Sequence, residues 1–453
     1  MQEEQTHSQT PSSEKSHIYA WYVVGVLMVA YTFSFLDRYI VNLMVGPIKA
    51  DLGISDFQFS LMTGAAFGIF YTIMGLPLGW AADRFNRTRL AAIGIALWSM
   101  ATVLCGISKT FVQLFLARVG VGVGEAALSP AAYSLMSDYF DKSQLPRAIS
   151  LYTAGIFIGA GLAYFLGGEV VGMINDHPYV TVPLLGQITS WHFVFIAVGF
   201  PGLLVALLVL SLKEPARKDL TAQSRKRFDT GEVFGWVKRH KWMSVSMFLG
   251  GALYSMITYT DQWYPELFIR TWDWGPREAG RINGFATIVG GPIGLIFAGW
   301  LTTTLIRKGI TDACLRMLAY ASIALAVIAI ALPLMPNATL MALMMFPFKF
   351  FIAFNPVLVP SAIQMVAPNQ LRGQLGALFL LSVGILGVTF GPILPAFLTD
   401  FVFKDESALR YSLSVSAAML GAVTAVTFWV GLKQYREAYA EAETRQNQDT
   451  ATA

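Results

Sequence analysis

Apolar stretches long enough to cross a bilayer recur along this chain, separated by short polar breaks, and that recurrence constrains the fold more than any single motif. A membrane-spanning helix needs about 20 predominantly apolar residues. Twelve such stretches can be marked, at 20–46, 57–82, 90–107, 111–137, 147–173, 191–212, 242–268, 280–306, 312–334, 339–365, 372–399 and 409–433. In lipid each backbone polar group must be satisfied within its own segment, so spans of this kind read as α-helices. Composition agrees, since only 13% of residues are charged, against roughly 25% in a soluble domain. The first span has no basic region before it and no small-residue cleavage site after it, so it reads as a retained helix and not a removed signal peptide.

Orientation follows from the basic residues. With both termini cytoplasmic, 22 of the 32 Lys and Arg lie in inner tails and loops, seven lie outside (Lys49, Lys109, Arg270, Arg277, Arg281, Lys404, Arg410) and three lie within spans. The opposite orientation would invert the usual excess of cytoplasmic Lys and Arg. An integral protein of a bacterial inner membrane is therefore expected. The net charge of +4 suits anionic lipid headgroups and gives no reason to propose nucleic acid as a partner. Cys105 and Cys314 lie in or near apolar spans and read as packing residues, with no disulfide framework, metal site or cofactor implied. No phosphate-binding Gly-x-x-x-x-Gly-Lys-Ser/Thr loop is present, so the energy for any transport would come from a gradient.

The chain divides at one long internal polar stretch, Lys213 to Lys241. This gives a tail at 1–17, six spans over 18–212, a cytoplasmic linker over 213–241, six spans over 242–433 and a tail at 434–453, both tails read as disordered or locally helical. A weak repeat supports the division: Gly79-Trp80 with Arg87 recurs as Gly299-Trp300 with Arg307, although Thr303 stands where Asp83 stood. Between the second and third spans, Gly79-x-x-x-Asp83-Arg84 with Arg87 and Arg89 forms a charged loop too short to be anything but wet. Asp83 is expected to accept hydrogen bonds from the first N–H groups of the following helix, and the arginines to face the cytoplasm. A basic loop alone would explain the arginines; the spacing from Gly79 to Arg84 goes further. It resembles the inner gate of the major facilitator superfamily, whose fold is an all-α membrane protein of 12 helices in two pseudo-symmetric six-helix bundles. On that resemblance Gly79, Asp83, Arg84 and Arg87 are gate residues.

Chemistry is expected where charge enters the membrane, because an ionisable side chain there is costly and faces a cavity or a partner. The candidates are Asp37 and Arg38 in the first span, Arg118 and Glu125 in the fourth, Asp261 and Glu266 in the seventh and Lys349 in the tenth. At ~1.5 Å rise per residue, Asp37 and Arg118 come to similar depth, which would let them pair and place Arg38 near Glu125. A carboxylate in that setting can carry a proton, since moving a nearby Arg switches its proton affinity; Glu125 is the first choice and Asp37 the second. A permanent salt-bridge network is the alternative. Arg38 and Arg118 can lock helices and bind an anionic group, and Asn42, one turn beyond Arg38, can bond the charged pair or line the path. Lys349 is read as facing a water-filled cavity among Phe346, Phe348, Phe350, Phe351 and Phe354, and Asp261, followed by Trp263-Tyr264-Pro265, as interfacial. Gly155-x-x-x-Gly159-x-Gly161 and Gly384-x-x-Gly387-x-x-x-Gly391-Pro392 read either as hinges or as close helix contacts.

Four segments together resemble the spinster-like transporters: Phe35-Leu36-Asp37-Arg38-Tyr39-Ile40-Val41, Asp83-Arg84-Phe85-Asn86-Arg87, Gly120-Val121-Gly122-Val123-Gly124-Glu125-Ala126 and Lys213-Glu214-Pro215. The resemblance implies a secondary active transporter working by alternating access, not an enzyme, that moves a lysophospholipid or sphingosine phosphate with proton coupling. It carries over Asp37 and Glu125 as coupling residues and Arg38 and Arg118 as substrate-site residues, joined by Asn42 and Lys349 from the reading above. Two alternatives stand beside it: a proton-coupled symporter of small organic anions such as sugar acids, and a transporter-like receptor without flux. The expected partners are an anionic lipid or small molecule, protons and membrane lipids, with the chain a monomer.

Overall fold

The computed structural model describes residues 11–141, 144–175, 179–182, 186–217, 230–368 and 370–452. Residues 1–10 of the expected N-terminal tail and residues 218–229 of the linker lie outside the described residues. Twelve long helices run through the described residues: α1 Pro11–Ile40, α2 Asp56–Ala82, α3 Arg87–Cys105, α4 Phe111–Tyr139, α5 Leu145–Asn175, α6 Ser190–Leu210, α7 over 241–272, α8 Pro276–Arg307, α9 Ala313–Leu334, α10 Ala338–Val366, α11 Arg372–Phe403 and α12 Leu409–Thr452. Eleven helical segments are long and apolar enough to cross a membrane. The exception, α7, is helical throughout but diluted by Ser, Gly and Tyr, and a 3-10 turn at Thr260–Trp263 interrupts it.

Polar caps set the helix starts. Ser55 and Gln58 form a reciprocal capping box at the head of α2, Asn86 accepts the Arg89 N–H at the head of α3, Thr110 accepts that of Gln113 on α4, and Asn337 that of Leu340 on α10. Each satisfies one of the first N–H groups that a helix leaves without a partner. The cap expected of Asp83 is thus made by Asn86, assisted by Glu214, whose carboxylate accepts the backbone N–H of Arg87 and Thr88 at 3.1 Å each.

Helices α1–α6 form one half and α7–α12 the other. The starts of α1 and α7 and the ends of α6 and α12 lie at one end, called here the linker end; the opposite end is the far end. Two short strands, β1 Tyr179–Val182 and β2 Gly186–Thr189, pair antiparallel at the far end between α5 and α6. Beyond Lys433 the chain is helical, as α12 runs on to Thr452.

Small residues let the helices approach closely. A Cβ on Gly159 would fall 2.3 Å from the Thr32 carbonyl of α1, one on Gly161 2.2 Å from Ile288 of α8, and one on Gly384 2.0 Å from Thr72 of α2. The two glycine runs are therefore contact surfaces. Gly161 and Gly384 lie where one half meets the other, and Gly64 of α2 similarly abuts Thr389 of α11.

Candidate functional site

The charged residues of α1 and α4 converge in the N-terminal half. Arg38 donates to Glu125 at 2.5 Å, and Ser34, one turn earlier on α1, donates to the same carboxylate oxygen, Oε2, at 2.6 Å. Arg118 lies 3.9 Å from Asp37, and the Thr102 hydroxyl of α3 donates to the other Asp37 oxygen. Both pairings anticipated from helix depth are therefore present, and all four charged side chains are buried. The Arg38 guanidinium sits over Phe35, Phe67 and Tyr71, 4.4 to 5.1 Å from the ring centroids. Aromatic faces stabilise a cation while excluding water, which strengthens the pairing with Glu125.

Satisfaction is incomplete in an informative way. Asp37 Oδ1, Glu125 Oε1, Arg38 Nε and Arg118 Nε are buried with no hydrogen-bond partner among the described residues. A buried polar atom left unmatched is costly. Each of these atoms has capacity for one further hydrogen bond.

A second centre lies in the C-terminal half. The Lys349 ammonium of α10 donates to Asp261 Oδ2 of α7 at 2.5 Å, and both side chains are buried. Lys349 thus has a counter-charge where a water-filled cavity was expected, and Asp261 is the buried partner of that cation. The Tyr164 hydroxyl of α5 lies 3.5 Å from the same Asp261 oxygen, and Asn42 donates to Tyr164 at 3.4 Å. Asn42 consequently joins a bridge between the halves and not the Arg38 pair. The aromatic run around Lys349 packs inside its own half: Phe348 meets Tyr264 edge-on at 5.1 Å, and Phe350 packs on Phe297 and over Gly294 of α8.

Of the gate residues, Arg87 is a buried hub. Its guanidinium donates to the Asp138 carboxylate, to Glu214 at 2.6 Å, to the Ser134 carbonyl at 3.2 Å and to the Pro215 carbonyl at 3.0 Å. Asp83 and Arg84 are exposed, Arg84 over the Trp80 ring at 4.2 Å, while Arg217 donates to the backbone carbonyls of Asp83, Ala82 and Phe85. A Cβ on Gly79 would meet nothing within 4 Å. These linker-end contacts all lie within the N-terminal half and the segment that follows it.

At the far end the ion pairs join the two halves. Arg270 of α7 donates to both oxygens of Asp56 on α2, at 2.6 and 2.8 Å, and to Glu266 at 2.7 Å. Lys49 bonds Asp56 at 2.5 Å and Glu406 at 2.9 Å, and Arg281 of α8 bonds Glu169 of α5 at 2.5 Å. Nothing in the sequence pointed to this latch beyond a handful of basic residues assigned to the outer loops, because the residues that pair across the halves are distant in the chain, 214 positions for Arg270 and Asp56 and 112 for Arg281 and Glu169. Ser34, Thr102, Tyr164 and Glu214 were likewise not foreseen as site residues.

Twelve helices in two halves, fastened at one end around buried ion pairs, define the architecture of an integral membrane transporter. This chain belongs to the Major Facilitator Superfamily, whose model matches residues 27–392. An MFS-type efflux pump of Mycolicibacterium smegmatis is 28% identical over 432 residues, 92% of this chain and 94% of that protein. Protein spinster homolog 1 of Xenopus tropicalis is 31% identical over 219 residues, 48% of this chain and 39% of that protein. A probable L-galactonate transporter of Escherichia coli is 22% identical over 411 residues, 87% of this chain and 86% of that one. In fold, the chain is similar to the crystal structure of a bacterial homologue of the human lysosomal transporter spinster in an inward-facing, unoccupied conformation, with TM-score 0.74, 24% identity, and coverage of 93% of this chain and 97% of that one.

Proposed function

We propose that this chain is a proton-coupled secondary transporter that works by alternating access and moves an amphipathic lipid bearing an anionic group, such as a lysophospholipid or sphingosine phosphate. The observation that carries the reading is the Arg38–Glu125 pair, buried at 2.5 Å with Glu125 Oε1 unmatched. An arginine that holds a carboxylate in one conformation and leaves it in the other switches that carboxylate's proton affinity, which is the requirement for coupling. With the termini in the cytoplasm of a bacterial cell, the ion pairs that join the halves lie on the outer side. The likeness to spinster homologues supports the lipid class. The likeness to an L-galactonate transporter extends over more of the chain and favours the second reading, a proton symporter of sugar acids.

The test is flux into proteoliposomes loaded with a pH-sensitive dye, comparing a lysophospholipid or sphingosine phosphate with L-galactonate, for wild type and Glu125→Gln. Lipid flux with proton movement, lost in the variant while the protein stays folded, is the expected result. Unchanged proton-coupled flux in Glu125→Gln removes Glu125 as the carrier. Sugar-acid flux alone keeps the site and replaces the substrate class, and binding without flux makes the chain a receptor.

A further inference from the structure

The Lys349–Asp261 pair lies outside the coupling centre of α1 and α4, and three observations separate it from a static salt bridge. Asp261 spends one oxygen on Lys349, and its Oδ1 is buried with no donor within reach. Among the described residues the one other donor at its Oδ2, Tyr164, comes from the opposite half at 3.5 Å, the outer limit of a hydrogen bond. Tyr164 is in turn held by Asn42 at an equally slack 3.4 Å, and Asn42 Oδ1 is also buried and unmatched. Lys349 itself stands 5.3 Å from the Tyr164 ring centroid, so its ammonium faces the boundary between the halves. The bridge is complete in connection, but its link across the boundary, from Tyr164 to Asp261, is at the limit of a hydrogen bond.

We propose that Asp261 is a positioning residue that stands in for the substrate's anionic group: it holds the Lys349 ammonium in the empty carrier and yields it to an incoming phosphate or carboxylate. The inference rests on the anionic substrate proposed above, whether lipid or sugar acid. A carboxylate released from Lys349 has a donor waiting in Tyr164, and shortening that bond draws α7 toward α5 across the boundary. Substrate arrival at Lys349 would thereby tighten the contact between the halves at the level of the site. A ligand moves a conformational equilibrium only through contacts that differ between the two states, and this exchange of partners supplies one. Lys349 stays paired throughout, while Asp261 exchanges its cation for the neutral Tyr164 hydroxyl, a cost that the incoming anion's pairing with Lys349 must exceed.

The test measures binding by intrinsic tryptophan fluorescence and turnover in proteoliposomes, with lysophosphatidate and L-galactonate as probes. Asp261→Asn removes the competitor for Lys349, so affinity for the bound probe rises about tenfold, equivalent to ~1.4 kcal/mol, while turnover falls. Lys349→Gln abolishes that gain, and the double variant behaves as Lys349→Gln alone, the non-additivity expected of one exchange. Tyr164→Phe, which keeps the ring, leaves affinity unchanged and lowers turnover. A purely structural pair would instead lower thermal stability and weaken binding in Asp261→Asn, and that result, or wild-type turnover in Tyr164→Phe, overturns the proposal. Wild-type binding of L-galactonate alone overturns the lipid reading and leaves this test running on the sugar acid; binding of neither probe overturns both.

Discussion

Asp37 depends on two partners of different kind, the Arg118 guanidinium at 3.9 Å and the Thr102 hydroxyl, which donates directly. The longer ion pair is the weaker orienting contact, so Thr102 fixes where the Asp37 carboxylate points. Thr102→Val keeps the shape and deletes the donor; a hydrogen bond to a buried charged group contributes roughly 1.5–3 kcal/mol. The variant is expected to melt several degrees below wild type by light scattering in detergent, and an unchanged melting curve would place the orientation of Asp37 on Arg118 alone. Charged site residues such as Arg38 and Glu125 were legible because an ionisable group inside an apolar run is costly and needs a partner or a cavity, and helical rise gave their relative depth. Thr102 and Ser34 were not, since hydroxyls are common in membrane helices and usually bond their own backbone, as Thr72 does to Gly68 here. Asp261 was readable as an ionisable residue in the seventh span but not as the partner of Lys349, which lies 88 positions further along the chain.

Order and number of the long helices were readable from apolar length alone, and the exceptions are elements whose partners lie far away in sequence. The Lys213-Glu214-Pro215 segment opens the polar stretch, which reads as solvated linker. In the structure it is docked onto the head of α3: Glu214 accepts from Arg87 and from two backbone N–H groups, and Arg87 also takes the Pro215 carbonyl. A carboxylate at a helix N-terminus is favoured by the helix dipole as well as by its arginine. Removing one partner of a buried pair costs ~3–5 kcal/mol, but the Glu214 side chain is 24% exposed while that of Arg87 is 1% exposed, which puts Arg87→Leu near the low end and Glu214→Gln below it. Both variants should free the segment after α6, seen as faster protease cleavage between residues 213 and 241 with α3 to α6 intact. Arg84→Ala, with only its contact on the exposed Trp80 ring to lose, should leave the cleavage rate at the wild-type level. Cleavage in the order Arg84→Ala above Arg87→Leu would return the fastening role to the exposed arginine.

Closure of one end while the other parts is a property of the whole molecule, and the far-end ion pairs are where the two halves hold each other. Their contributions differ by burial. Glu406 is 66% exposed in its pair with Lys49, and an exposed ion pair contributes little. Asp56 is fully buried, and Arg270 reaches it with two hydrogen bonds from the opposite half, with Glu266 orienting the guanidinium from one turn away. Arg270→Gln therefore removes most of the latch, and Glu406→Gln very little of it. A latch contributing about 3 kcal/mol holds the closed far end over the open one by roughly 100-fold, so its loss brings the two states to comparable populations. Spin labels on the exposed positions Lys109 and Lys404, read as a distance distribution in nanodiscs, should show one far-end distance for wild type and Glu406→Gln and a second, longer one in Arg270→Gln. The glycine contacts between Gly64 and Thr389 and between Gly384 and Thr72 persist in that variant. A single short distance in Arg270→Gln would therefore assign the closure to this close helix packing, and would make the ion pairs a consequence of closure and not its cause.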